Sequence, residues 1–343
     1  MLKKIFAFSL VALVLLNAVA FADVKKGKTK AAQTNQLAAL LPASDGVLTV
    51  NSQRLLNEAA PQILAASPEK LNEFNDAVED VKKKTGLDLR QFEQIAVGVN
   101  FKQNQVDPLM LARGKYDSSG LLAAVKAATG GKYREEKIGA RTIYVFSTGE
   151  LASQHQAKIS GNSVISKIFN AVVRNIPEEL AVTTFDEKTL ALGSVARLRE
   201  IFETKTRVSA EILSLVSRKP NALMNFGANT PEGLARFVEL GDDEIGETLA
   251  SVRQISGMMD LTAGNAVVSV KAKTIDAAQA ESLEGTLVTL QALGKGFLGG
   301  MSGNDKKVYA RMLEKLKITR AGTQIGLDLQ VPQSDIDILL GAR

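Results

Sequence analysis

Residues Gln324–Val331 place Ile325, Leu327, Leu329 and Val331 at every second position, with Gln324, Asp328 and Gln330 pointing the other way. Successive side chains of a strand point to opposite faces, so this spacing predicts a strand with one buried and one wet face. Such alternation marks antiparallel sheet; the strands of a doubly wound parallel sheet, covered on both faces, read as nearly continuous apolar runs. Further strand candidates are Val47–Val50, Ile95–Phe101, Leu109–Tyr116, Thr142–Phe146, Leu180–Phe185, Ala222–Gly227, Ile255–Leu261 and Ala266–Lys273.

Helical periodicity separates these runs. Ser67-Pro68-Glu69 opens a helix with a capping hydroxyl, a proline at the first helical position and an acid near the positive end of the dipole. Leu71, Phe74, Val78 and Val81 form its apolar stripe, Glu79–Lys83 and Asp80–Lys84 are i,i+4 pairs, and Gly86 stands where the helix should stop. Thr230-Pro231-Glu232 repeats the start signal ahead of Leu234, Phe237 and Val238. Ile275–Leu293 sets Leu283, Leu287 and Leu290 on one face, and Asp305 precedes Val308, Met312 and Leu316. The last of these helices carries Lys306, Lys307, Arg311, Lys315 and Lys317 opposite its stripe, a pattern that suits a membrane surface, but Glu314 interrupts it and no Trp anchors it, so a solvated face is the expected reading.

The order of elements runs twice. A strand at Val47, helices, the pair Ile95–Phe101 and Leu109–Tyr116 and a helix at Ser119–Ala128 are followed by a strand at Ala222, a helix from Thr230, the pair Ile255–Leu261 and Ala266–Lys273 and a helix from Asp276. This predicts an α+β chain of two tandem ferredoxin-like modules, β-α-β-β-α-β in type, with mostly antiparallel sheets and helices on one face of each. A chain of 343 residues exceeds the ~100–200 of a usual domain, in keeping with two units. The breakers Arg218-Lys219-Pro220-Asn221 set the boundary, giving modules 37–218 and 219–343.

Three segments carry a resemblance: Leu41-Pro42-Ala43-Ser44-Asp45, the turn Gly86-Leu87-Asp88-Leu89, and the strand pair Thr184–Ser194 running into a helix. Together they look like a loose class of uncharacterised secreted bacterial proteins. The resemblance implies repeated α+β modules and carries over no functional residue.

Residues 1–22 read as a secretory signal peptide, with Lys3 and Lys4 ahead of the apolar core Ile5–Leu16 and Ala20-Phe21-Ala22 as the A-x-A site before Asp23. That core is short for a bilayer span. The expectation is cleavage after Ala22 and export to the periplasm or beyond. There is no cysteine, so disulfides, thiolate metal sites, a cysteine nucleophile and lipoprotein attachment are all excluded.

The net charge of +5 belongs to delivery rather than to the body. Lys3 and Lys4 sit in the signal segment, and the linker 23–36 adds Lys25, Lys26, Lys28 and Lys30 against Asp23. Residues 37–218 hold 23 basic and 21 acidic side chains, and residues 219–343 hold 13 and 15. A neutral body without Trp is a poor nucleic-acid binder, which would concentrate cations and interleave aromatics. The linker lysines suit weak contact with an anionic surface.

Motifs with chemical meaning do not assemble. Gly294-x-Gly296-x-x-Gly299 fits the dinucleotide fingerprint as letters but follows a helical pattern instead of a strand, and reads as a loop between helices. Gly130-Gly131-Lys132 is followed by Tyr133 and lacks the P-loop spacing. Ser67-x-x-Lys70 is better explained by the helix cap than by acyl transfer. His155 is the single histidine, too few for a zinc site in a cysteine-free chain, and its place in the polar stretch Ser147–Ser163 makes a solvated side chain the expected reading over a triad member. The acidic groupings Glu135-Glu136, Glu178-Glu179, Asp242-Asp243-Glu244 with Glu247, and Asp335 with Asp337 match no calcium loop.

These exclusions lead to an exported, non-enzymatic interaction or scaffold protein of the bacterial cell envelope, with no catalytic, metal or cofactor site and an envelope or extracellular protein as partner. Two alternatives stand beside it. A carrier of an apolar ligand or lipid needs a pocket lined by a stripe such as Leu283, Leu287 and Leu290. A carboxylate hydrolase needs two acids about 5–10 Å apart in a cleft.

Overall fold

The computed structural model describes residues 33–102, 105–116, 120–149, 177–230, 248–300 and 302–341. The signal segment, Lys25–Lys30, His155, the helix expected after Thr230 and the Asp242–Glu247 grouping lie outside the described residues. The chain divides into two compact units. Among the described residues, one draws on residues 33–57 and on Asn72–Asn221, the other on Glu58–Leu71 and the chain from Ala222, so the second unit is entered twice. Both are mixtures of helices and antiparallel sheet.

The first unit holds β1 (Gly46–Val50), β2 (Phe92–Lys102), β3 (Gln105–Gly114), β4 (Arg134–Ile138), β5 (Arg141–Ser147), β6 (Glu179–Asp186) and β7 (Thr189–Gly193). Their order is β1-β2-β3-β7-β6-β5-β4, each pair antiparallel. Its helices include α1 (Gln33–Ala38), most of α2 (Pro68–Thr85), α3 (Gly120–Thr129), α4 (Val195–Glu203) and α5 (Ala210–Val216). Helix α1 takes in Gln33–Gln36, the end of the expected linker, and its Leu37 and Ala38 are wholly buried. The positive φ of Gly86 follows the end of α2, as the C-cap pattern requires.

Helices cover both faces of this sheet, which corrects the expectation of one covered face. Leu109 and Leu111 of β3, Val145 of β5, Ala181 of β6 and Ala191 of β7 share a core with Leu37 of α1, Leu198 of α4 and Ile212 of α5. The alternate residues Ala112, Tyr144, Val182 and Leu190 meet Leu121 and Val125 of α3 on the other side. Period two sends neighbours in a strand to opposite faces, so the two clusters are the two faces.

The second unit holds β8 (Met224–Asn229), β9 (Val252–Thr262), β10 (Asn265–Thr274), β11 (Lys317–Ala321) and β12 (Gln324–Pro332), with α6 (Ala277–Gly299), α7 (Asn304–Lys315) and α8 (Gln333–Leu339). The strand order is β8-β9-β10-β12-β11, antiparallel throughout. Here the alternation of β12 holds: Ile325 and Val331 are buried while Asp328 and Gln330 are exposed. Ile325 packs with Leu249, Val252, Ala280 and Leu283, and Ala272, Leu287 and Ile318 close around them.

The strand wiring differs from the ferredoxin-like expectation. A split β-α-β unit holds a third strand between the two that its helix joins. In the first unit the strands on either side of α2, β1 and β2, lie next to each other and antiparallel. Local antiparallel pairing extends the sheet strand by strand without needing a parallel crossover.

Candidate functional site

Helix α6 starts where Asp276 accepts a hydrogen bond from the Gln279 amide at 2.8 Å, satisfying one of the open N–H groups of the first turn. Leu283 and Leu287 face the sheet core described above. Further along, Gln291 Nε2 donates to the carbonyls of Leu313 and Leu316 at 2.6 and 2.8 Å, so α6 caps the C-terminal end of α7. A Cβ at Gly294 would lie 2.7 Å from Leu313 Cδ1, so glycine permits the close approach of the two helices. Arg311 of α7 donates from Nε to Asp335 of α8 at 3.0 Å, and Asp335 is buried.

With one arc of α6 committed to the sheet and α7, the opposite arc is exposed. Every exposed position from Gly285 to Gly300 is uncharged. Three of them are large apolar side chains: Val288, Leu293 and Phe297, exposed to 48%, 58% and 43%. A surface helix ordinarily turns charged or polar residues to solvent, so a second apolar arc marks an interaction surface. The acids of α6 are confined to its first turns, where Arg320 Nε donates to Glu284 Oε2 at 2.7 Å and Nη1 lies 3.9 Å from Glu281. At the other end stand Lys295, and then Lys306 and Lys307 on α7. Burial, with the Asp305 charge adding to it, raises the pKa of the Tyr309 hydroxyl on α7.

The sequence reading finds the Leu283, Leu287 and Leu290 stripe and misses this second arc. The available signal is the missing polar complement: between Gly285 and Gly303 the only charged residue is Lys295. The structure also corrects the reading of Gly294, Gly296 and Gly299 as a loop. All three lie inside α6, where no strand-to-helix turn exists to cradle a pyrophosphate.

Two of the acidic groupings meet at one cation. Arg134 on β4 donates from Nε to Glu136 at 2.9 Å and from Nη2 to Glu179 on β6 at 2.8 Å. Those hydrogen bonds, with the positive charge, hold the Glu179 carboxyl below its ordinary range. A general acid needs the opposite shift. Asp335 and Asp337 go separate ways, the first to Arg311 and the second accepting from Gln333 Nε2 at 2.7 Å. Lys70 Nζ donates to the Leu340 carbonyl, which occupies the amine of the Ser67-x-x-Lys70 spacing. Among the described residues no group of three or more His, Cys, Asp or Glu is placed to hold a metal ion, and no helix is long and apolar enough to cross a membrane.

Fold and surface together define an α+β protein of antiparallel sheets whose conspicuous feature is an exposed apolar helix face. No family model matches the sequence, and no curated protein matches it. Among solved structures the chain is similar to crystal form III of TP0453, with a TM-score of 0.44 and 7% identity over 89% of this chain and 97% of that one. Crystal form IV of TP0453 gives a TM-score of 0.44 and 8% identity over 89% and 95% of the two chains.

Proposed function

We propose that this is an exported, non-enzymatic interaction protein of the bacterial cell envelope that works through the exposed arc of α6. The observation that carries the reading is the uncharged run of exposed positions from Gly285 to Gly300, with Val288, Leu293 and Phe297 among them. Exposing such side chains costs hydrophobic free energy that contact with a partner recovers. Export is supported by Lys3 and Lys4, the apolar core and Ala20-Phe21-Ala22 before Asp23, with the linker lysines as a secondary contact to anionic surfaces.

The two units are read as variants of one module. Each runs strand, hairpin, helix, hairpin: β1, β2–β3, α3, β4–β5 in one and β8, β9–β10, α6–α7, β11–β12 in the other. In the second unit β12 pairs directly with β10, whereas in the first the β6–β7 hairpin stands between β3 and β5. Insertion of one hairpin converts the strand order of the second unit into that of the first.

The carrier alternative gains no support from its lining residues, since Leu283 and Leu287 pack against Ile325 and Ala272 as core. A photo-crosslinking side chain at Leu293, compared with one at the exposed Asp328 of β12, tests the proposal in intact envelopes. Adducts with an envelope component at Leu293 and none at Asp328 are expected; equal or absent labelling at both sites overturns it.

A further inference from the structure

The partner of the α6 arc is open to inference from its size and its charged surroundings. Taking ~150–250 Å² for a large side chain, the exposed parts of Val288, Leu293 and Phe297 amount to on the order of 300 Å². A standard protein interface takes ~800 Å² from each partner, so the apolar arc is small for a stable second copy. A lipid surface sets no such minimum: a helix lying in the headgroup region needs a few inserted apolar side chains and cations beside them.

The cations are present. From Gly285 to Tyr309 the charged residues are Lys295, Asp305, Lys306 and Lys307, so three lysines face a single acid around the α6–α7 turn. Lys307 is exposed, and Lys295 and Lys306 are half-buried. Glu281 and Glu284 sit at the far end of α6, within reach of Arg320. An apolar arc ending in lysines, with the helix acids held away from it, is the charge pattern that complements an anionic bilayer. Phe297 and Leu293 occupy the lysine-rich end of the helix, and glycines Gly296, Gly299 and Gly300 beside them carry no side chain that would hold the backbone away from the headgroups.

We propose that the α6–α7 turn docks onto an anionic phospholipid surface, with Leu293 and Phe297, about 40° apart on the helix, inserted at the interface and Lys306 and Lys307 of α7 meeting the headgroup phosphates. This rests on the α6 arc being the interaction surface and names its partner.

The chain has no Trp, so Phe297→Trp provides a single fluorescent reporter. The protein in its exported form is mixed with vesicles of equimolar phosphatidylglycerol and phosphatidylcholine, or of phosphatidylcholine alone. Co-sedimentation and a blue shift of the indole emission from the Phe297→Trp variant are expected with the anionic vesicles and not with the neutral ones. Leu293→Asp lies on the exposed arc and is expected to keep the circular dichroism of the wild type while weakening vesicle binding at least tenfold. With each lysine worth about fivefold near an anionic surface, Lys306→Gln with Lys307→Gln should lose on the order of 30-fold. Protein left in the supernatant with unshifted emission overturns the lipid inference, as does a Leu293→Asp variant that binds like the wild type. If vesicle binding fails while Leu293 still crosslinks to a protein in envelopes, the lipid inference falls and the α6 surface stands. If Leu293→Asp instead abolishes a dimer seen by sedimentation equilibrium, a second copy is the occupant and the lipid inference also falls.

Discussion

Arg197 Nη2 donates to Ser44 Oγ at 2.8 Å, joining a wholly buried guanidinium on α4 to the segment that leads into β1. Nη1 reaches the Ala43 carbonyl at 2.9 Å and pairs with Glu200, and Ser44 Oγ in turn donates to the Pro42 carbonyl at 2.9 Å. Asp45 continues the anchoring by accepting from the Phe101 amide at 2.9 Å. The Leu41–Asp45 segment, which carries part of the resemblance to secreted bacterial proteins, is thereby clamped between α4 and the β1–β2 pair.

Removing one partner of a buried charged network strands the others, at a cost of about 3–5 kcal/mol. Arg197→Ala is therefore expected to lower the stability of the first unit by that amount, measured as a shift in its urea midpoint. Arg197→Met fills the space but strands the same partners, so it should lose nearly as much, which separates the polar network from the cavity.

Gly98 of β2 explains why that clamp has room. A Cβ there would stand 2.5 Å from Ser44 Oγ and 3.4 Å from Leu41 Cδ1. Gly98→Ala is expected to destabilise by about 1–3 kcal/mol through overpacking. In a Ser44→Gly background the collision is gone, so the same substitution should cost much less. A double-mutant cycle read by urea denaturation gives the coupling directly.

Elements with one wet face are the legible ones. Strand β12 alternates because Asp328 and Gln330 meet water, and its expected span Gln324–Val331 lies within one residue of the observed Gln324–Pro332. Two charged edge strands are invisible: β4 reads Arg134-Glu135-Glu136-Lys137-Ile138 and β11 Lys317-Ile318-Thr319-Arg320-Ala321. Charge on an edge discourages pairing with other chains, and it erases the apolar period that announces a strand. The helices on both faces of the first unit escape notice for the converse reason, since Leu109-Met110-Leu111-Ala112 has apolar side chains on both sides of the sheet. On α6 the core-facing leucines Leu283 and Leu287 can be read from spacing, but which of two apolar arcs meets the sheet depends on tertiary packing.

Acid should loosen the β4–β6 corner. Hydrogen bonds from Arg134, aided by its charge, hold Glu179 below the ordinary value of 4.5. A carboxylate with a depressed folded pKa contributes stability above its unfolded value and loses it as the pH falls through the folded one. Stability from this pair is thus expected to decline below about pH 4.5. Both groups are solvent-exposed, so the contribution is small and falls at high salt. Urea midpoints of the wild type and Glu179→Gln, compared between pH 3 and 6 at low and high salt, should converge at the acid end.

Alkali acts elsewhere. Tyr116 stacks on Phe92 with ring centroids 6.3 Å apart and donates its hydroxyl to the Asp186 carbonyl at 2.9 Å. Burial, with the Asp186 charge adding to it, pushes its pKa from 10.0 up to about 12. The folded state therefore favours neutral Tyr116; this stability is complete below pH 10 and is lost as the pH rises through about 12. In an ultraviolet titration of the phenolates, Tyr116→Phe should remove a component at the alkaline end of the curve and leave the earlier part unchanged. The wild type should also lose more stability than Tyr116→Phe between pH 10 and 12, because the variant has no hydroxyl to ionise at that position. Loss of an early-titrating component in Tyr116→Phe would instead place the hydroxyl in water and contradict the hydrogen bond to Asp186.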